Sequence, residues 1–226
     1  MGMRSNYIFM NRVSQKIEKF FAVGDIHGNL SRLEQLMEEI KPAFNPDSDT
    51  LVFLGDYIDR GPDSKGVVDF ILRLRRKFPR VVCLKGNHEA MLLDWVINGE
   101  NSDLYLYNGG GATIKTYSQD GEFKLPPEHL AFFTSLLLYY ETEEYIFVHA
   151  GMKAGIPLAE QDPHDLIWIR EEFILSPQDF GKTVVFGHTP LQRVYLTPNK
   201  IGIDTGAVYG GKLTCLELPS RRLYSV

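Results

Sequence analysis

Leu51-Val52-Phe53-Leu54-Gly55-Asp56-Tyr57-Ile58-Asp59-Arg60-Gly61 decides how this chain is read. Its four leading apolar residues read as a short buried strand. A glycine at each end of the segment that follows lets the backbone turn sharply at the strand's carboxyl edge. Between those glycines stand two carboxylates and one guanidinium, charges that need partners once desolvated. Metal ions suit paired carboxylates, and a phosphate or carboxylate ligand suits Arg60. The flanking segments repeat the pattern. Phe20-Phe21-Ala22-Val23 runs into Gly24-Asp25-Ile26-His27-Gly28, and Val81-Val82-Cys83-Leu84 runs into Lys85-Gly86-Asn87-His88-Glu89. Three strands that deliver metal-type ligands from their C-terminal ends describe one site.

Composition narrows the function classes. A chain of 226 residues with 44% hydrophobic content suits one large domain with a sizeable core. A net charge of -5 offers no basic footprint for a nucleic acid polymer or an anionic membrane. The two cysteines, Cys83 and Cys215, lie in apolar strand-like runs and read as reduced core thiols. A cysteine-based phosphatase needs an arginine six residues after its nucleophile, and Glu89 stands there after Cys83. No apolar stretch approaches membrane-spanning length, and residues 1–19 lack the apolar core of a signal peptide. A cytoplasmic protein is expected, with residues 1–19 an N-terminal arm and 20–226 the working domain.

Around the central strand the pattern alternates strand and helix. Leu30, Leu33, Leu36, Met37 and Ile40 fall at helical spacing. Pro62 and Asp63 open a second helix whose apolar face is Val67, Val68, Ile71, Leu72 and Leu74. Arg73, Arg75, Arg76 and Lys77 load its C-terminal turns, where cations complement the helix dipole. This alternation predicts βαβ units and a largely parallel first sheet. Met91 to Ile97 continues a helix, and Asn98 to Asp120 reads as a polar, glycine-rich insert, a loop whose Gly109-Gly110-Gly111 makes a close-packed turn. This loop and the one from Gly151 to Pro163 are expected to discriminate substrates. Pro126-Pro127-Glu128 starts another helix, and a helical patch over His164 to Ile169 precedes Arg170. The final strands, near Val194, Ile201 to Ile203, Leu213 to Leu218 and Leu223 to Val226, read as antiparallel. The expected fold class is α/β (α+β): two mixed sheets face to face with helices outside.

A lone histidine after a strand is more often structural than catalytic. Here five separate apolar strands end in Asp25/His27, Asp56, Asn87, His149 and His188, each with glycine within two residues. These segments resemble the calcineurin-like metallophosphoesterases, in their phosphoprotein phosphatase branch. The blocks that carry the resemblance are Gly24-Asp-Ile-His-Gly28, Gly55-Asp-Tyr-Ile-Asp-Arg-Gly61, Gly86-Asn-His-Glu89, His149-Ala-Gly151 and Gly187-His188. They span roughly residues 20 to 218. Leu166-Ile-Trp-Ile-Arg170 and Ile203-Asp-Thr-Gly-Ala207 are similar to segments of the bacterial and phage-lambda-type serine/threonine phosphatases.

The resemblance implies a four-layer sandwich and a role for each residue. Asp25 and His27 would hold one divalent metal, Asn87, His149 and His188 a second, and Asp56 would bridge them. Mixed nitrogen and oxygen donors without thiolate suit manganese first, with iron or zinc as alternatives. Two such cations roughly 3.5–4 Å apart generate a hydroxide nucleophile and clamp a phosphate for in-line displacement. His88 would protonate the leaving alkoxide, and Asp59 would orient His88. Arg60 and Arg170 would bind the non-bridging phosphate oxygens. An aspartyl-phosphate mechanism needs two spaced aspartates, and position 27 is histidine. The implied partner is a phosphoprotein carrying phosphoserine or phosphothreonine, or a phosphorylated small molecule. Symmetrical cleavage of diadenosine tetraphosphate is the alternative, and a scaffold without activity is disfavoured by the intact ligand set. The acidic run from Glu160 to Asp165 weighs against a highly charged nucleotide.

Overall fold

The computed structural model describes residues 18–226, so the expectation of an arm over residues 1–19 lies almost wholly outside the described residues. The first half holds β1 (Phe20–Val23), α1 (Leu30–Ile40), β2 (Thr50–Phe53), α2 (Ser64–Lys77), β3 (Val81–Cys83) and α3 (Asn87–Leu93). An irregular helical stretch follows, containing α4 (Ser102–Tyr105) and α5 (Gly111–Tyr117). A small hairpin of β4 (Ser118–Gln119) and β5 (Glu122–Phe123) leads into α6 (Pro127–Thr134). Then come β6 (Tyr139–Glu141), β7 (Tyr145–Val148), α7 (Pro163–Trp168) and α8 (Glu171–Ile174). The chain closes with β8 (Thr183–Phe186), β9 (Tyr195–Leu196), β10 (Lys200–Gly202), β11 (Thr214–Leu218) and β12 (Arg222–Ser225).

Two five-stranded sheets result, in the orders β12-β11-β1-β2-β3 and β6-β7-β8-β10-β9. The pleat explains why the strands read as unbroken apolar runs. Phe21 and Val23 of β1 face the cluster built with α1 and α2, around Leu33, Leu36, Val67 and Ile71. Their neighbours Phe20 and Ala22 face the second sheet, meeting Phe147, Val185 and Ile201. Beyond that sheet, Val148 and Phe186 pack on Leu166, Ile167 and Phe173 of α7 and α8. Helices, sheet, sheet and helices therefore form four layers, with the inner strands β1, β2, β7, β10 and β11 buried along their whole length and the edge strands β6, β9 and β12 partly exposed. Asp63 caps α2 by accepting the Gly66 N–H at 2.8 Å, and Arg75, Arg76 and Lys77 occupy its last turn.

Two expectations are corrected. The polar insert is helical for most of its length, because Tyr105 buries itself against the Trp95 ring at 5.5 Å and Thr113 and Tyr117 are buried in α5. Its glycines mark a kink between helical segments: Gly109 takes φ 101° where a non-glycine residue would be strained. The last strands are not uniformly antiparallel. β10 runs parallel to β8, with Ile201 opposite Val185, and antiparallel only to β9. The long connection after β8 carries β9 and returns the chain in the original direction, as a parallel crossover requires.

Candidate active site

Sheet register brings the ligands together. Val23 of β1 pairs with Phe53 of β2, Phe53 with Cys83 of β3, and Phe147 of β7 with Val185 of β8. The loops after these five strands therefore leave at matched heights, and Asp25, His27, Asp56, Asp59, Asn87, His88, His149 and His188 are all buried. Their backbone is strained. Of eight non-glycine residues with positive φ among the described residues, His27, Asp56, Asp59, Arg60 and His188 belong to these loops. Such conformations cost about 1–3 kcal/mol each and persist where surroundings over-determine them. Glu89 supplies part of that determination. Its carboxylate, fully buried, accepts the N–H groups of Asp56 (3.0 Å), Tyr57 (2.9 Å) and Gly86 (3.0 Å). Glycine is required at two approaches: a Cβ on Gly86 would overlap the Asp56 carboxylate, and one on Gly187 that of Asp25.

The histidine tautomers follow from their partners. His27 Nδ1–H donates to the Ile58 carbonyl and His149 Nδ1–H to the Leu54 carbonyl, both at 2.9 Å. Each therefore presents an unprotonated Nε2, at 3.5 Å from an oxygen of Asp56. His188 donates from Nε2 to the Trp168 carbonyl at 3.2 Å and presents Nδ1. Burial holds His27, His149 (down to about 3) and His188 below the ordinary imidazole range, so all three are neutral. Two sets of side chains have donor atoms within 4.8 Å of one another: His27, Asp56 and His88, and Asp56, His149 and His188. Asp56 belongs to both.

These residues fit divalent cations. The lone pair of His149 Nε2 faces the acceptor Asn87 Oδ1 at 3.1 Å, two electron-rich atoms that a cation would hold together. Burial, then Asp204 and Asp56, push the Asp25 carboxyl up. Burial and Glu89 push Asp56 up as well. Crowded, desolvated carboxylates opposite neutral imidazole donors are what a hard or borderline cation requires. Asp25 stands to one side, its carboxylate accepting the His188 N–H at 3.1 and 3.0 Å.

His88 is different in kind. Its Nδ1 lies 2.6 Å from Asp59 Oδ2, while Nε2 is buried without any hydrogen-bond partner, 3.9 Å from Asp56. Burial pushes the Asp59 carboxyl up to about 7 against the hydrogen bonds of Thr113 and Tyr105, and burial and the two arginines hold His88 down. Arg60 reaches the site, but its Nη1 donates to His27 Nε2 at 2.7 Å, the lone pair a metal would take. Its guanidinium also lies over the Tyr209 ring, 5.5 Å from the centroid. Arg170 donates to the His188 carbonyl at 3.0 Å and lies 3.4 Å from Thr189 Oγ1. Of the ligands expected from sequence, His27, Asp56, His149 and His188 fall in the two donor sets, Asn87 meets the second through His149, and Asp25 belongs to neither, its place beside His27 being taken by His88.

Sequence reasoning passed over four side chains here. Asp204, 6% exposed, adds a carboxylate beside Asp25; its segment was noticed, its charge was not. Ser64, Tyr105 and Thr113 surround Asp59 with hydroxyls. Cys83 is excluded from chemistry again, since burial pushes its thiol up to about 12.

Fold and site define a metal-dependent phosphoester hydrolase, and the chain belongs to the calcineurin-like phosphoesterase family, whose model matches residues 18–215. It is 34% identical to a serine/threonine-protein phosphatase 1 of Salmonella typhimurium, over 96% of this chain and 99% of that protein. It is 25% identical to an asymmetrical bis(5'-nucleosyl)-tetraphosphatase of Halalkalibacterium halodurans, over 92% and 93% of the two chains. Among solved structures it resembles a candidate diadenosine tetraphosphatase, with TM-score 0.72 and 27% identity over 92% of each chain. A serine/threonine phosphatase from Saccharomyces cerevisiae shares the fold, with TM-score 0.62 and 17% identity over 92% of this chain and 78% of that one.

Proposed function

We propose that this enzyme hydrolyses phosphomonoesters, with phosphoserine and phosphothreonine of proteins as its substrate class. Asp25 and His27 would hold one divalent cation and Asn87, His149 and His188 another, with Asp56 shared. The observation that carries this reading is the membership of Asp56 in both donor clusters. When bound, the two ions supply neutralisation of the phosphate charge and acidification of a water molecule. The protein's own groups do the rest. The Asp59 carboxylate accepts the Nδ1–H of His88 and, against the burial that holds His88 down, favours the imidazolium form. The Nε2–H of that form is the proton delivered to the departing serine or threonine oxygen, leaving a neutral ring. Arg60 and Arg170 neutralise the phosphoryl oxygens in charge-assisted hydrogen bonds, for which Arg60 swings off His27 Nε2. Manganese is the ion proposed, because the donors are oxygen and imidazole without thiolate.

A second reading is hydrolysis of dinucleoside tetraphosphates, favoured by the relatives of that name. Those relatives are asymmetrical enzymes, so the symmetrical cleavage considered from sequence has less support than the asymmetrical one. The acidic run also weighs less against a nucleotide than its sequence suggests, since Asp165 pairs with Lys153 at 3.0 Å and Asp162 caps α7. Serine/threonine phosphatase activity is preferred on the higher identity to the Salmonella protein. The test is a parallel assay of the manganese-loaded protein on a phosphothreonine peptide and on diadenosine tetraphosphate. A kcat/KM preference for the peptide is expected, and a hundredfold preference for the nucleotide would reverse the assignment.

A further inference from the structure

Asp59 is held from the insert as well as by His88. Its Oδ2 meets His88 Nδ1 at 2.6 Å, whereas Oδ1 accepts the Tyr105 hydroxyl at 2.8 Å and the Thr113 hydroxyl at 2.6 Å. Thr113 Oγ1 in turn accepts the Asp59 N–H at 2.9 Å, and Ser64 Oγ lies 2.8 Å from the same Thr113 oxygen. Asp59, Ser64, Tyr105 and Thr113 are all fully buried. A carboxylate's terminal torsion is broad, so a single partner on one oxygen leaves its plane free to turn. Donors on both oxygens fix that plane. The Asp59 backbone is fixed as well, at φ 73°. Phenylalanine and valine in place of Tyr105 and Thr113 would fill the same space without buried hydroxyls needing partners. The insert also reaches the next residue: the Gly109 carbonyl accepts the Arg60 N–H at 3.2 Å.

We propose that Tyr105 and Thr113 are positioning residues for the reaction, holding Asp59 Oδ1 so that Oδ2 keeps His88 turned with Nε2 toward the leaving group. This rests on His88 being the proton donor. The insert is then part of the proton-delivery apparatus, in addition to any part it takes in choosing substrates.

The consequence is a dependence on leaving group. Phenolate is basic and needs a proton to depart, whereas p-nitrophenolate departs unaided. Tyr105→Phe, which removes one hydrogen bond to Asp59, should lower kcat on phenyl phosphate roughly five- to tenfold, the scale of an ordinary hydrogen bond. Thr113→Val, which also removes an acceptor of the Asp59 N–H, should lower it at least as much. On p-nitrophenyl phosphate the same variants should lose less than about twofold, with KM and bound manganese unchanged on both. Thr113→Ser, which keeps the hydroxyl, should retain wild-type rates. The low-field proton resonance of His88 Nδ1–H should shift or broaden in the first two variants and persist in Thr113→Ser. Equal slowing on both substrates, or no slowing, would overturn the positioning role. Should Thr113→Val fail to fold, Tyr105→Phe, which removes a single oxygen, decides alone. His88→Asn separates the two levels. If it slows both substrates equally, the proton-donor reading itself fails. If it discriminates between them while Tyr105→Phe does not, the positioning proposal alone is lost.

Discussion

Among the described residues, two histidines are hydrogen-bonded through the ring to an aspartate side chain, and they differ in what the other ring nitrogen meets. His129 Nε2 donates to Asp69 at 3.0 Å, and its Nδ1 accepts the Tyr117 hydroxyl at 2.7 Å. Asp69 is also held by Lys65 at 2.8 Å. Every polar atom of that chain is satisfied, so it works as a strut joining α2, α5 and α6. His88 has the same kind of aspartate partner, closer and drier, yet among the described residues its Nε2 is the one buried side-chain polar atom with no polar neighbour at hydrogen-bond distance. A buried unsatisfied nitrogen costs about 1–3 kcal/mol, and is retained where it has a task. A histidine–carboxylate pair is therefore not by itself a sign of chemistry. The open nitrogen is.

The largest expected effect tests whether that open nitrogen faces a metal-dependent site at all. Exhaustive dialysis against a chelator should abolish turnover, and added manganese should restore it. Full activity with no residual metal detectable would remove the site reading and leave two struts. Next in size is His88→Asn, which should slow phosphopeptide hydrolysis by roughly 10²–10⁴-fold and p-nitrophenyl phosphate hydrolysis much less. Its melting temperature and bound metal should stay close to wild type; displacement of metal would mean that His88 shapes the Asn87 loop instead.

The strut should behave in the opposite way. His129→Leu leaves the Tyr117 hydroxyl without its acceptor and should cost about 1–3 kcal/mol of stability, a fall of several degrees in Tm at this chain length. Turnover per folded molecule should not change, and a hundredfold loss of kcat would erase the contrast. The smallest effect concerns pH. Burial holds His129 below its ordinary 6.5, against the pull of Asp69. Lys65 faces the same group with a cation, and Glu128 and Asp69 with carboxylates. The unfolded chain therefore takes up this proton first as pH falls through about 6.5, and folding stability drops on the acid side. In His129→Leu that part of the stability slope should flatten, and an unchanged slope in chemical denaturation between pH 7.5 and 5.5 would count against it.

What could be read in advance divides along the same line. The strand ends carrying Asp25, His27, Asp56, Asn87, His149 and His188 were legible because each motif is local: an apolar run, a glycine and a donor within a few residues. Tyr105 and Thr113 carried no such signal. Their partner Asp59 lies 46 and 54 residues away, and nothing near them in the chain announces it. The insert was misread because three glycines and many polar residues resemble a loop, while the burial of Tyr105, Thr113 and Tyr117 that makes it helical exists only against α2, α3 and the hairpin. Arg60 shows a finer limit. Its presence was expected, but its place on His27 Nε2 and against Tyr209 depends on a residue 149 positions later in the sequence.

Sequence alone determined the donor inventory, the strands that carry it and the class of chemistry, because ligand type and apolar periodicity are properties of neighbours in the chain. Tertiary structure decided which histidine keeps an open nitrogen. That outcome depends on whether a hydroxyl from a distant helix reaches the second ring nitrogen: Tyr117 reaches His129, while Tyr105 and Thr113 reach the aspartate behind His88 and leave its Nε2 free.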